Sequence, residues 1–75
     1  MPHVTVKLYA GKSEQEKSLI SDEVTKAIMQ ATGHGADAVS VSIEDVAPKD
    51  WADIYKTEIM ARSENLYKKP GYDLL

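Results

Sequence analysis

Two short segments of alternating apolar and polar residues flank one long helical pattern, and this order restricts the fold more than any other feature. Apolar and polar side chains alternate in residues 2–9 and again in residues 38–46, which is the period of a β-strand. Val4, Val6 and Leu8 share one face of the first strand. A long helix between two strands is a right-handed crossover, so the strands are predicted to be parallel.

The intervening helix carries recognisable start and stop signals. Ser13 and Glu16 have the spacing of a capping box, in which each side chain bonds the backbone of the other residue. Gly33 and Gly35 supply the stop, because glycine accepts the left-handed backbone that ends many helices. The pattern predicts a helix over about residues 14–32.

A second helix is predicted after the second strand. Pro48 occupies a position typical of a first helical turn. A stripe of apolar residues then follows at helical spacing: Trp51, Ile54, Tyr55, Ile59, Leu66 and Tyr67. We expect a helix over about residues 49–67, ended by Lys68-Lys69-Pro70-Gly71 and followed by a short tail.

The fold expected from these elements is α+β, a two-layer sandwich of helices on a sheet, in a single domain spanning residues 1–75. A chain of this length buries only about 60% of its unfolded surface. Two parallel strands also do not form a stable sheet alone. We therefore expect a homodimer whose strands join into one four-stranded sheet; a hexamer is the open alternative.

Composition excludes several classes of function. The net charge of −3 argues against nucleic acid as a partner. The chain has no cysteine and two histidines, so neither a thiol nucleophile nor a protein-only metal centre is expected. No apolar segment has the length of a membrane span, and no signal-peptide pattern opens the chain. The expectation is a cytoplasmic protein without a membrane partner, and we predict no cofactor.

Pro2 is the residue with the most distinctive potential chemistry. Removal of Met1 would leave a secondary amine at the head of the first strand. An α-amino group has a reference pKa of about 7.7–8.0, and burial or a nearby cation lowers the pKa of such a group. A neutral ring nitrogen near pH 7 is a good general base. Alone, however, a second-position proline is more often without function.

The wider sequence around Pro2 resembles the 4-oxalocrotonate tautomerase family. The resemblance lies in the opening Met-Pro-His-Val-Thr-Val-Lys-Leu, the Gly11-Lys12-Ser13 turn, the following Glu-Gln-Glu-Lys and the strand Val-Ser-Val-Ser-Ile-Glu-Asp-Val. The later part, with Trp51 and the Lys-Lys-Pro-Gly-Tyr tail, resembles the PptA-like (phenylpyruvate-tautomerase-like) subgroup. The resemblance implies the β-α-β tautomerase (MIF-like) fold with an additional C-terminal helix, in a dimer.

The resemblance also implies roles for individual residues. Pro2 would be the catalytic base, moving a proton between the enol oxygen and a carbon of a 2-oxo acid. Lys12 falls where the family has an arginine that binds the substrate carboxylate, and it lacks the bidentate fork of arginine. Ser40 falls where a second arginine polarises the carbonyl. Trp51 matches the aromatic wall, whereas the one arginine, Arg62, matches no family site position.

These departures imply either slow enol–keto chemistry on the dicarboxylate typical of the family or a less charged aryl substrate, such as a phenylenolpyruvate-like enol. A tyrosine hydroxyl in the pocket is also open, but the sequence does not choose among the four candidates: Tyr9, Tyr55, Tyr67 and Tyr72. The alternative function is a non-catalytic or weakly active binding protein that keeps the tautomerase fold. The missing arginines favour that alternative, and the N-terminal proline favours the enzyme.

Overall fold

The computed structural model describes residues 1–74. Strand β1 spans His3–Tyr9, helix α1 spans Glu14–Thr32 and strand β2 spans Ser40–Val46. The two strands pair in parallel over their whole lengths, with His3 opposite Ser40 at one end and Tyr9 opposite Val46 at the other. The predicted β-α-β unit is therefore confirmed.

Both ends of α1 are fixed by the residues that the sequence singles out. The Glu16 N–H donates to Ser13 Oγ over 3.1 Å, and the Ser13 N–H donates to Glu16 Oε1 over 3.3 Å. Gly33 has φ +79°, and its N–H donates to the Met29 carbonyl over 2.9 Å. A residue with a side chain would be strained there, so glycine ends the helix.

An ion pair ties α1 to the end of β2. Lys17 Nζ lies 3.0 Å from Glu14 Oε1 and 3.2 Å from Asp45 Oδ2. Its hydrogen bond to Glu14, followed by the one to Asp45, raises the pKa of Lys17 above its usual 10.5. This contact ties α1 to the side of the sheet that carries Asp45.

The C-terminal helix is present but is not the uniform helix expected over residues 49–67. A 3-10 turn at Pro48–Asp50 leads into helix α2, Trp51–Ile54, and then into a π-helical turn, Tyr55–Ile59. A 3-10 helix, Met60–Asn65, ends the segment, and Arg62 has non-helical φ −118° and ψ 35°. We call Pro48–Asn65 the C-terminal helical segment.

The strand boundaries need smaller corrections. Residues 38–46 were expected to be extended, but Ala36–Ala38 form a 3-10 turn and β2 begins only at Ser40. The Val39 N–H donates to the Ala36 carbonyl over 3.1 Å. Because this N–H is used in the 3-10 turn, Val39 does not pair with β1. β1 begins at His3, one residue later than expected.

The described chain has little interior of its own. Tyr55, 3% exposed, is its one buried apolar side chain. The accessible surface is 5721 Å², whereas a compact monomer of this mass exposes about 4,600 Å². The radius of gyration is 13.8 Å, against about 11 Å for a compact domain of this length. Among the described residues, no helix is both long and apolar enough to cross a membrane.

Candidate active site

Pro2 lies at the start of the parallel strand pair. Its carbonyl accepts a hydrogen bond from the Ser40 N–H over 3.1 Å, which fixes the backbone of Pro2 beside β2. Pro2 is half-buried, whereas Met1 before it is 96% exposed. In the chain as translated, Met1 holds the Pro2 nitrogen in an amide, which has no basic lone pair. Loss of Met1 would convert this position into a secondary amine.

Of the predicted binding residues, Ser40 lies beside Pro2, but its hydroxyl is already engaged. Ser40 Oγ lies 2.6 Å from His3 Nδ1. His3 Nε2 lies 3.4 Å from Thr5 Oγ1, and the Ser42 hydroxyl donates to the same Thr5 oxygen over 3.2 Å. These four side chains form a polar ladder across one face of the sheet. Within a single chain, the ladder holds the Ser40 hydroxyl on the sheet surface.

Lys12 and Trp51 lie at the opposite end of the strands from Pro2. Lys12 belongs to the turn that follows β1, and Trp51 begins α2 after β2. A strand advances about 3.3 Å per residue, so the seven-residue length of β1 separates its two ends by about 20 Å. One chain therefore brings Pro2 together with Ser40. Lys12 and Trp51 follow the other ends of the two strands, and Lys12 does not line the cavity that Trp51 lines.

Trp51 forms part of an aromatic cluster around a cavity. Its ring meets Tyr9 edge-to-face, with centroids 5.4 Å apart and an interplanar angle of 90°. The Trp51 indole N–H donates to the Tyr72 hydroxyl over 3.1 Å. The Tyr72 ring lies 5.5 Å from the buried Tyr55 ring at a tilt of 43°. Tyr72 is thus held from both sides although it follows the last helix.

The aromatic cavity has a volume of about 580 Å³ and six lining residues: Lys7, Leu8, Tyr9, Trp51, Tyr72 and Leu74. This volume suits a small organic ligand. Lys7, Leu8 and Tyr9 are consecutive, and successive strand side chains point to opposite faces. We infer that the cavity lies along an edge of β1, since only there would all three reach it. β2 occupies one edge, which leaves the other, unpaired edge for the cavity.

Lys7 supplies a cation to this cavity, but two carboxylates neutralise it. Lys7 Nζ lies 2.6 Å from both oxygens of Glu58 and 3.6 Å from Glu44 Oε2. The hydrogen bond to Glu58 is the largest cause of a raised Lys7 pKa. By contrast, Lys12 has only a loose ion pair with Glu16, 3.8 Å long between two half-exposed side chains. Such a pair is weak in water, so Lys12 is the more available cation.

The sequence did not identify Lys7 or Tyr72 as cavity residues. Lys7 reads as an outward position of an alternating strand, and its route to the cavity depends on the free edge. From the sequence, Tyr72 is one of four equivalent tyrosine candidates. Its place at the cavity depends on the fold, which brings it to Trp51. Within residues 1–74, no group of three or more His, Asp and Glu side chains is arranged to hold a metal ion.

Comparison with known proteins agrees with this geometry. The family model described as "Tautomerase enzyme" matches residues 2–53, more than half of the chain. The chain belongs to the tautomerase family. A probable tautomerase from Xylella fastidiosa (strain 9a5c) is 38% identical over 76 residues, covering 100% of this chain and 93% of that protein. Tautomerase PptA from Escherichia coli (strain SMS-3-5 / SECEC) is 31% identical over 75 residues, covering 99% of this chain and 100% of PptA.

Solved structures of tautomerase relatives match the same fold. TomN, a 4-oxalocrotonate tautomerase homologue in the tomaymycin biosynthetic pathway, superposes with a TM-score of 0.65 at 32% identity. The match covers 67% of this chain and 77% of TomN. A 4-oxalocrotonate tautomerase isozyme from Methylibium petroleiphilum superposes with a TM-score of 0.65 at 34% identity. That match covers 67% of this chain and 81% of the isozyme. The predicted family and PptA-like subgroup are confirmed, and the chain is an enzyme of the isomerase class.

The tautomerase match places the candidate residues in two groups. Pro2, Lys12, Ser40 and Trp51 all fall inside the span that the family model covers. Tyr72 falls outside that span, although the PptA relative matches nearly the whole chain. The aromatic cavity is therefore built partly from the family region and partly from the C-terminal tail.

Proposed function

We propose that this tautomerase interconverts the enol and keto forms of an aryl 2-oxo acid, with the nitrogen of Pro2 as general base after Met1 is removed. The neutral amine takes the proton from the enol hydroxyl, and negative charge spreads from that oxygen to C3. The protonated amine then gives the proton to C3. One O–H bond breaks and one C3–H bond forms, so no other reactant is needed.

The observation that carries the proposal is the relation between Pro2 and the free edge of β1. Pro2 precedes one end of that strand, and Lys7, Leu8 and Tyr9 line the aromatic cavity at the other end. A second copy paired antiparallel on this edge would bring its own Pro2 to the cavity. Pro2 and Ser40 would then come from one protomer, and Lys12 and Trp51 from its partner.

The exposed surface supports such a homodimer. The described chain exposes about 1,100 Å² more than a compact monomer of its mass. That excess is of the order that each partner buries in a substantial protein interface. β1 also leaves backbone N–H and C=O groups unpaired along its free edge, and a partner strand would satisfy them. The resulting sheet would have four strands.

The charge and shape of the cavity favour a substrate with one carboxylate and one aromatic ring. Tyr9, Trp51 and Tyr72 offer aromatic surface, which suits the aryl group of a phenylenolpyruvate-like enol. Lys7 is neutralised by its two carboxylates. Lys12 lies outside the cavity lining, in the turn that follows β1, and its loose ion pair with Glu16 supports it as the cation for the substrate carboxylate. A dicarboxylate would need a second free cation.

Removal of Met1 tests the proposal directly. The same preparation would be assayed with phenylenolpyruvate before and after treatment with a methionine aminopeptidase, following the loss of enol absorbance. We expect activity to appear as mass spectrometry shows loss of Met1. Pro2→Ala should lower kcat/KM by about 10²- to 10⁴-fold, the usual contribution of a general base.

Pro48→Ala is the matched control, because Pro48 lies in an exposed turn outside the site. It should keep the wild-type rate. Equal rates for the treated and untreated protein, or for wild type and Pro2→Ala, would contradict the proposal. The chain would then act on its substrates without a proline base, or only bind them.

A further inference from the structure

Tyr72 meets three conditions for a group that acts on the substrate. It lines the aromatic cavity, it is 44% exposed there, and its ring is fixed between Trp51 and Tyr55. Its hydroxyl oxygen accepts the Trp51 indole N–H over 3.1 Å. A phenol has one proton to donate and two lone pairs to accept with. Because one lone pair is used, the Tyr72 proton is left to donate elsewhere.

The other candidate donors, including Ser40 that a partner chain would bring with its Pro2, are committed or poorly oriented. The Tyr55 hydroxyl lies 3.4 Å from Asp73 Oδ1 in a buried position. Ser40, which stands where the family polarises the carbonyl, shares its hydroxyl with His3 over 2.6 Å. Within the described chain, Tyr9 contacts Trp51 through its ring, and no hydrogen bond orients its hydroxyl. Tyr72 is thus the best-oriented uncommitted donor.

We propose that Tyr72 is a catalytic residue whose hydroxyl donates a hydrogen bond to the substrate's enol oxygen as that oxygen becomes negatively charged. This inference rests on the proposed function, since it needs the enol in the aromatic cavity. The proton of Tyr72 is not transferred; it stabilises charge at the oxygen while Pro2 carries the moving proton. A preorganised donor of this kind favours the transition state over the bound substrate.

The orientation of Tyr72 explains why the indole nitrogen is present at position 51. An aromatic wall alone would need only a hydrocarbon ring. The indole N–H adds a donor that fixes the Tyr72 oxygen, and fixing the oxygen directs the remaining proton. Trp51 is therefore also a positioning residue for Tyr72. Tyr72, in the C-terminal tail, thus stabilises the charge on the substrate oxygen. Residues 2–53, which the family model matches, contain no arginine that could do so.

The test compares Tyr72→Phe with Tyr67→Phe in Met1-free protein acting on phenylenolpyruvate. Tyr67 is fully exposed and lies outside the cavity, so Tyr67→Phe should match the wild type. Tyr72→Phe keeps the ring and should lower kcat by about 10- to 100-fold, somewhat less than loss of a fully buried oxyanion donor. KM should change little, since the donor acts mainly in the transition state.

A second variant separates donation from packing. Incorporation of 3-fluorotyrosine at position 72 keeps the oxygen that accepts the Trp51 N–H but makes the phenol a stronger donor. At pH 7 a donating role predicts kcat above the wild-type value, because the fluorinated phenol is the stronger donor. A purely structural role predicts kcat equal to the wild-type value, because the ring and the oxygen that accepts the Trp51 N–H are both kept. Equal kcat for Tyr72→Phe and Tyr67→Phe overturns the inference.

Comparing Pro2→Ala with Tyr72→Phe separates the proposed proline base from the proposed role of Tyr72. If wild type is active, Pro2→Ala is inactive and Tyr72→Phe is unaffected, the proline mechanism stands and the role of Tyr72 is wrong. If Tyr72→Phe is slow but Pro2→Ala is not, the site is correct and the proline base is wrong. If no Met1-free protein turns over the enol, both proposals are overturned.

Discussion

Mixing two inactive variants tests whether each active site draws on two chains. Pro2→Ala removes the base but leaves the aromatic cavity intact, whereas Trp51→Ala removes the cavity wall but leaves the base. Each homodimer should be nearly inactive. In a hybrid dimer, one site carries both defects, and the other combines an intact Pro2 with an intact Trp51. The distance of about 20 Å between the ends of β1 is the reason for proposing this sharing.

The expected recovery follows from random assembly. Half of the dimers are hybrids, and each hybrid has one intact site of two, so the mixture should reach about 25% of wild-type activity under two-fold symmetry. The assay is phenylenolpyruvate ketonisation after the Met1-free variants are unfolded together and refolded. Native mass spectrometry verifies that hybrids form and that Trp51→Ala still assembles.

The refuting result is equally specific. If hybrids form in the expected proportion but the mixture is no more active than the average of the two variants, each site lies within one chain. The antiparallel arrangement on the β1 edge would then be wrong. The recovered fraction of wild-type activity is informative for a hexamer as well. Any site that takes Pro2 from one chain and Trp51 from one neighbour also gives about 25% under random assembly.

Four further predictions concern stability and binding. Ser13→Ala removes the acceptor for the Glu16 N–H and should cost about 1 kcal/mol; calorimetry should show a Tm lower by about 4–8 °C. The hydrogen bonds from the Ser13 backbone and then from the Ser13 side chain lower the pKa of Glu16. Ionised Glu16 therefore stabilises the folded chain at neutral pH, and this contribution is lost as pH falls below 4.5. Thermal melts at pH 7 and pH 3 should therefore differ less for Glu16→Gln than for wild type. Burial first, and Asp73 next, raise the pKa of Tyr55, so stability should fall as pH rises past 10 and Tyr55→Phe should resist that loss. Lys12→Arg restores a bidentate carboxylate fork and should lower KM for phenylenolpyruvate by about threefold to tenfold, and an unchanged KM would remove Lys12 from the site.

Local signals in the sequence were sufficient for the β-α-β unit. Alternation defines both strands, and the Ser13–Glu16 box with Gly33 defines α1 to the residue. These features depend on neighbours within a few positions, so the chain carries them directly. The C-terminal helical segment was predicted less well, because its apolar stripe shows helical spacing but not the change from α to π to 3-10 bonding.

The candidate site was predictable only in part, for a physical reason. Pro2 is a candidate by its own chemistry as well as by family resemblance, whereas Lys12 and Trp51 are candidates through the resemblance alone. The separation of Pro2 from the other two follows from the length of β1. The aromatic cavity depends on the fold, since the tail must reverse before Tyr72 can meet Trp51. The neutralised state of Lys7 likewise depends on Glu58, which lies 51 residues away along the chain.

The proposed dimer makes stability and catalysis depend on the same strand edge. In the described part of a single chain, Tyr55 is the one buried apolar side chain, and the outer edge of β1 is unpaired. If a second copy covers that edge, it supplies both the missing buried surface and the missing Pro2. Dissociation would then remove the catalytic base from the cavity before either chain unfolds. Specific activity and the dimer population should consequently fall with the same midpoint on dilution, because one interface carries both.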